Sequence, residues 1–240
     1  IGIGLCEPVQ LESGNDPICT HNLFCLTCHI CKIQYDSMKG TFMEFMSLLL
    51  HPKRFLRLKT LWRDIHRARK QGNDILVSDF ANCTDVRITC MGSGNRIVLS
   101  EGVFHGLHLF CHGDNGSIVI GKGVVVNAFA DRPTTFSVIG ATQIVVENNC
   151  LISDSVVMQT SDYHKVYDKE TGFLQNADDN IRIGEHCWIG NKVTINKGVS
   201  VPTNCVIGNC SVVTKSFEET NVVIAGNPAQ IKKRNVIWTY

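Results

Sequence analysis

Residues 181–215 read IRIGEHCWIGNKVTINKGVSVPTNCVIGNCSVVTK, and one spacing runs through them. Ile183, Ile189, Ile195, Val201, Ile207 and Val213 recur every six residues without a break. Two places before each stand Ile181, Cys187, Val193, Val199, Cys205 and Ser211, again apolar or small. An amphipathic helix needs spacing near 3.6, and a meander of strands shows turn signals at less regular intervals, so neither accounts for the pattern. Fixed self-similarity of this kind marks a solenoid. Three units close one triangular coil, which predicts that Ile183 stacks under Val201, Ile189 under Ile207 and Ile195 under Val213 in a shared core. Gly184, Gly190 and Gly208 follow inward residues and are expected to relieve corner turns.

Outward from this block the rhythm weakens. Ile144, Cys150 and Val156 accompany Val146, Ile152 and Met158, with fainter traces at Ile118 and Val124 and at Ile97, Val103 and Leu109. The phase breaks between Met158 and Ile181, where SDYHKVYDKETGFLQNADDN is polar, charged and arrhythmic. This predicts a loop excursion at about 159–180, and loops leaving a rigid scaffold are where chemistry is usually placed. Before the repeats, HPKRFLRLKTLWRDIHRARKQGN from His51 reads as a helix, with Pro52 in the first turn, Gly72 past the end, and Phe55, Leu58, Trp62 and Ile65 as its apolar face. The remainder carries Lys53, Arg54, Arg57, Lys59, Arg63, Arg67, Arg69 and Lys70 against the single acid Asp64. Such a helix either caps the β-domain as a solvated surface or meets an anionic membrane or polymer.

The chain therefore divides into a cysteine-rich leader over 1–40, a basic amphipathic segment over 41–73 and a β-helix over 74–240. Its 240 residues, 44% of them hydrophobic, suffice for one main domain, and a net charge of +1 argues against a nucleic-acid partner. The stretch Phe42–Leu50 is too short to span a bilayer and is interrupted by Glu44, so a soluble protein is expected. No basic-then-apolar leader with a small-residue cleavage site directs the chain to an oxidising compartment. Of 12 cysteines, Cys25, Cys28 and Cys31 form a C-x-x-C-x-x-C run near His21 and His29, a grouping able to bind zinc or part of an iron–sulfur cluster. It lacks a fourth ligand at the usual spacing, so no metal is expected. The later cysteines mostly occupy repeat positions, where a reduced thiol acts as a small hydrophobe.

From Val138 to Trp238, and more loosely from about residue 75, the chain resembles the hexapeptide-repeat acyltransferases. The resemblance rests on NNCLISDSVVMQTSDYH, which runs into a D-x-H element, on WIGNKVTINKGV and NCVIGNCSVVTK, and on AGNPAQIKK, which is similar to the family's terminal coil. More narrowly, TSDYHKVYD, EHCWIGNKVTI and the interval from His164 to Trp188 resemble capsule O-acetyltransferases that modify sialic acid polymers. The resemblance implies a mainly β fold, a left-handed parallel β-helix with an N-terminal helical segment. It implies acetyl transfer from acetyl-CoA, with His164 and Trp188 as the active pair. For the donor it implies Lys215, Lys232 and Lys233 at the CoA phosphates, and Gly208, Thr214, Ala225, Gly226 and Asn227 along the pantetheine. It further implies a homotrimer, a sialylated polysaccharide acceptor and a cytoplasmic enzyme, at most peripheral at the inner membrane through its basic helix.

O-acetyl transfer requires a base for the hydroxyl proton, and histidine suits the task because its pKa lies near working pH. Asp162 is placed to orient the His164 ring or to cap the turn. Trp188 offers a flat wall and one N–H donor. Three other chemistries compete. An acyl-cysteine route is disfavoured because Cys187 and Cys205 fall in the buried register. A zinc hydratase would draw on His105, His108, His112, His164 and His186, but the closing histidine pair is missing around His164. A non-enzymatic scaffold needs no base at the mouth of a loop. Within the transferase reading, the alternative acceptor is small: a nucleotide sugar, an amino acid or an antibiotic.

Overall fold

The computed structural model describes residues 52–240, and the leader with Cys25, Cys28, Cys31, His21 and His29 lies outside the described residues. The first element, α1, covers Pro52–Lys70 and ends in Arg67, Arg69 and Lys70, where the helix dipole favours cations. Leu58, Leu61, Ile65 and Ala68 bury one stripe of α1 against the first coil. Asp64, only 2% exposed, accepts a bond from Arg87 Nε at 2.7 Å, which pins the helix to the first strand of one face. Trp62, assigned from spacing to the apolar side, is instead 62% exposed, because the stripe passes through Leu61. The helix is thus a cap whose apolar side is used up on the β-domain.

From Asp74 onward the chain winds as a triangular parallel β-helix. Face A runs from Asp74–Val77 through Gln143–Val146 and Ile181–Ile183 to Ser200–Val201. Face B runs from Cys83–Thr84 through Leu151–Ile152, Trp188–Ile189 and Val206–Ile207 to a closing pair, Val223–Gly226 and Ala229–Lys233. Face C runs from Arg87–Met91 through Leu107–His112, Thr134–Ile139, Val157–Gln159 and Thr194–Ile195 to Val212–Val213. All neighbours pair in parallel except the last pair on face B, whose antiparallel hairpin stops the stacking.

The predicted register is the observed one: Ile183 pairs with Val201, Ile189 with Ile207 and Ile195 with Val213. Both repeat registers point inward, with Cys187, Val193, Cys205 and Ser211 fully buried beside the aliphatic row. Removing one such side chain, as in Ile195→Ala, costs about 2–5 kcal/mol. The irregular lower coils obey the same stacking, since Ile75, Ile97, Ile118 and Ile144 are all buried and successive face A strands stay in register. Strands and the connections between them both vary in length there, which blurs the period; Phe104, not Val103, turns inward.

Gly184, Gly190 and Gly208 are required for a reason other than the turn. A Cβ on Gly184 would lie 2.7 Å from the Thr203 backbone nitrogen, and one on Gly208 would lie 2.9 Å from Ala225 Cβ, so it is the next coil that excludes a side chain. The left-handed turn positions are taken by Asn149, His186, Asn204 and Asn221, which climb the corner between faces A and B. Asparagine and histidine are both among the non-glycine residues enriched in this conformation.

The buried thiols make a testable pattern. Burial pushes Cys83 up to about 12, and Cys111, Cys150, Cys187 and Cys205 are likewise enclosed, whereas Cys210 is exposed at a corner. Thiolate formation and access govern alkylation. Brief iodoacetamide treatment of the native protein, followed by peptide mapping, is therefore expected to modify Cys210 and spare Cys83. Comparable labelling of the two would mean that the coils open readily.

Candidate active site

The excursion leaves face C after Gln159 and returns before Ile181 through a pinched neck, where Asp179 N–H donates to Thr160 O at 3.0 Å. Tyr163, at φ +62, folds back so that its hydroxyl meets Ser137 Oγ at 2.7 Å and its ring packs edge-on against His112 at 5.6 Å. His164 follows directly, with an exposed side chain and a fixed main chain: its N–H bonds Asp162 O at 2.7 Å and its carbonyl accepts from Asn176 Nδ2 at 2.7 Å.

Asp162 does not serve the His164 ring. Its Oδ2 accepts from Lys197 Nζ at 2.6 Å and from Asn176 Nδ2 at 2.9 Å, so it clamps the loop to the next coil. Lys197 also reaches Asn176 O at 2.7 Å, and Asn176 Oδ1 accepts from Val166 N–H at 2.6 Å. Beyond this clamp a short hairpin bridged at Tyr167 and Leu174 projects outward, uncovering Val166, Tyr167 and Phe173, the last 72% exposed.

Trp188 lies elsewhere, on the outer side of face B, 38% exposed. The C-terminal tail turns back along the corner between faces A and B and reaches it. Arg234 bonds Glu219, Val236 N–H donates to Asn221 O at 2.9 Å, and Trp238 Nε1–H donates to His186 O at 2.9 Å. The Trp238 ring stacks on His186 at 4.3 Å and tilts against Trp188 at 6.1 Å. His186 Nδ1–H in turn donates to Asn204 Oδ1 at 2.9 Å. A cavity of about 260 Å³ opens beside this aromatic nest, lined by His186, Asn204, Asn221, Ile237 and Trp238.

The donor candidates split into two groups. Gly208 and Ala225 stack at the corner between faces B and C, Gly226 and Asn227 follow in the closing hairpin, and Lys232 and Lys233 are exposed on its second strand, with the Lys232 amine near Gly226. Thr214 and Lys215 belong to the far end of face C, where Lys215 sits over the Phe217 ring at 6.0 Å. The histidines are similarly dispersed: His105 on face B, His108 and His112 on face C, His186 at a corner. Among the described residues no group of three or more His, Cys, Asp or Glu is arranged to hold a metal.

Comparison with known proteins fits this framework. The family model described as the GLGC left-handed parallel beta-helix domain matches residues 114–239. The chain is 33% identical over 170 residues to the polysialic acid O-acetyltransferase of Neisseria meningitidis, spanning 70% of this chain and 76% of that protein. The chain belongs to the hexapeptide-repeat acyltransferase family. This hexapeptide-repeat protein is also 31% identical over 126 residues to the polysialic acid O-acetyltransferase of Escherichia coli O1:K1, of whose length it spans 41%. It superposes on the polySia-specific acetyltransferase NeuO with a TM-score of 0.53 and 28% identity, covering 70% of this chain and 82% of that one.

What sequence missed in this hexapeptide-repeat chain is the loop's own framework: Asn176, Lys197 and Tyr163. The Lys197 ammonium, with the Asn176 amide, holds the Asp162 carboxyl below the ordinary carboxylate range, and Lys165 does the same for Asp178 at 2.8 Å. A depressed carboxyl stabilises above its unfolded pKa, about 3.9, and that contribution is lost as pH falls through the lower folded value. Amide protection across 161–178, taken relative to the intrinsic exchange rate at each pH, is accordingly expected to fall as pH drops below about 4 while the coil amides stay protected. Loop protection unchanged down to about pH 2 would show that the two carboxylates do not hold it.

Proposed function

We propose that this chain moves an acetyl group from acetyl-CoA to a hydroxyl of a sialic-acid-containing capsular polysaccharide, in the cytoplasm before export. The observation that carries the reading is His164: a free imidazole presented from a loop whose main chain is tied on both sides. In the proposed step His164 takes the hydroxyl proton as the oxygen attacks the thioester carbonyl carbon. The tetrahedral intermediate then collapses, the C–S bond breaks, and the CoA thiolate recovers the proton from the imidazolium. Backbone N–H groups at the coil corners are suited to the developing oxyanion. Kinship with polysialic acid O-acetyltransferases supports the acceptor class.

The loop leaves the corner between faces C and A, and in a triangular prism that corner lies opposite face B, which carries Trp188. We therefore place the site between subunits of a homotrimer, His164 of one subunit facing Trp188 of the next, with the uncovered hairpin tip as the reaching element. The donor is assigned to the corner between faces B and C beside Trp188, with Gly208, Ala225, Gly226, Asn227, Lys232 and Lys233 along it. Thr214 and Lys215, at another corner, would then serve a neighbour's donor. Ala225→Trp is expected to block CoA in calorimetry while preserving the melting transition; unchanged affinity would move the donor elsewhere.

The acceptor is tested by acetyl-CoA consumption over sialylated oligomers, neutral glycosides and small amines. Turnover of a small acceptor with none on any sialylated one would overturn the capsule reading and leave acetyl transfer standing.

A further inference from the structure

The exposed side of α1 is a built surface and not merely a charged one. Trp62 and His66, one turn apart, stack with ring centroids 5.4 Å apart and planes within 8°. Around them Lys59, Arg63, Arg67 and Lys70 all face solvent. The helix's one acid, Asp64, is buried and bonded to Arg87 at 2.7 Å, with Arg63 Nε at 3.9 Å from its other oxygen, so of these cations it offsets only Arg63 in part. Arg69, by contrast, is engaged: its guanidinium donates to Ile75 O at 2.5 Å.

Two anionic partners suit cations on a helix, and the packing separates them. A helix that lies in a lipid surface must offer an apolar stripe to the acyl boundary. Here Leu58, Leu61, Ile65 and Ala68 are already buried on the β-helix, which leaves Trp62 as the one large apolar side chain on the outward side between Leu58 and Lys70. A single aromatic platform ringed by cations instead matches a polymer of carboxylated sugars, whose C–H faces lie on an indole and whose carboxylates meet the surrounding charges.

The position favours the same partner. Helix α1 packs on the Arg87–Met91 strand of face C, the Leu107–His112 strand lies next, and Tyr163, adjacent to His164, rests on His112 of that strand. With about 4.8 Å between neighbouring strands, three strand spacings, roughly 14 Å, separate the strand under the helix from the strand that feeds the loop, and Tyr163 folds back to within one spacing of it.

We propose that the outward face of α1, centred on the Trp62–His66 stack with Lys59, Arg63, Arg67 and Lys70, is a second binding surface for an acidic polysaccharide, holding a long chain while another part of it is acted on. Its link to catalysis rests on the acceptor reading given above. The experiment measures binding of labelled polysialic acid and of a sialic acid trimer by fluorescence anisotropy, with dextran as neutral control. Trp62→Ala and the triple variant Lys59→Gln/Arg63→Gln/Lys70→Gln are each expected to weaken long-chain binding about tenfold. The salt dependence should flatten in the triple variant, while trimer binding and its turnover stay within about twofold. Undiminished long-chain binding in both variants overturns the proposal, as does an equal loss for long and short acceptors. Trp62-dependent binding to phosphatidylglycerol vesicles in place of polysaccharide overturns it too. If no sialylated compound is turned over but polygalacturonate binding still falls in Trp62→Ala, the acceptor reading fails and the binding surface stands.

Discussion

His164→Ala is expected to retain the fold and CoA binding while lowering turnover by about two to four orders of magnitude, the range associated with loss of a general base. The structure sharpens this expectation, because the imidazole is exposed and the loop is held by other groups. Asp162, Asn176 and Lys197 fasten the neck, and Tyr163 anchors on Ser137, so truncating the ring should leave all of these contacts in place. A loss of activity accompanied by an unchanged melting temperature and unchanged CoA calorimetry therefore reports chemistry, not unfolding. Activity within about threefold of the parent would remove His164 from the mechanism.

Co-expression of His164→Ala chains with Trp188→Ala chains is the second large effect. Each variant alone is expected to be nearly inactive, yet mixed trimers should recover about a third of parental activity, because one of the three sites in every mixed trimer pairs an intact histidine with an intact tryptophan across a heterologous interface. The prediction follows from the prism: the loop corner and face B lie on opposite sides of one subunit. Purification through two different tags isolates the mixed species. No recovery above the separate variants, in trimers shown to be mixed, would place both residues in one subunit's site. A monomer of 26.6 kDa with full activity by light scattering would remove the shared site altogether.

The core was legible because a strict period is a statement about stacking: each sixth residue must meet its counterpart one coil away, and Ile183, Ile189 and Ile195 do so. Where connections lengthen, the stacking persists but the spacing that reveals it does not, as Val103 and Phe104 illustrate. On the helix, Leu58, Trp62 and Ile65 satisfied the spacing as well as Leu58, Leu61 and Ile65, and only the partner surface decides between them. His164 and Trp188 were singled out as a pair only by resemblance to the family's motif. Their angular relation was not, because counting from one to the other crosses the insertion and loses the coil phase. The clamp through Asn176 and the return of Trp238 onto His186 depend on corner geometry, to which no spacing in the sequence corresponds.

The pinched neck of the excursion has a consequence for how such chains diversify. Thr160 and Asp179 are hydrogen-bonded across the insertion, and the coil resumes in register with Ile144 opposite Ile181. Closing a longer or shorter loop over that neck changes free energy only slowly with length. Residues 161–178 can accordingly be exchanged, lengthened or trimmed as a cassette while the scaffold beneath keeps its pairing. On the acceptor reading proposed above, a change of acceptor then requires substitutions within one gap that keep His164 rather than a redesign of the solenoid.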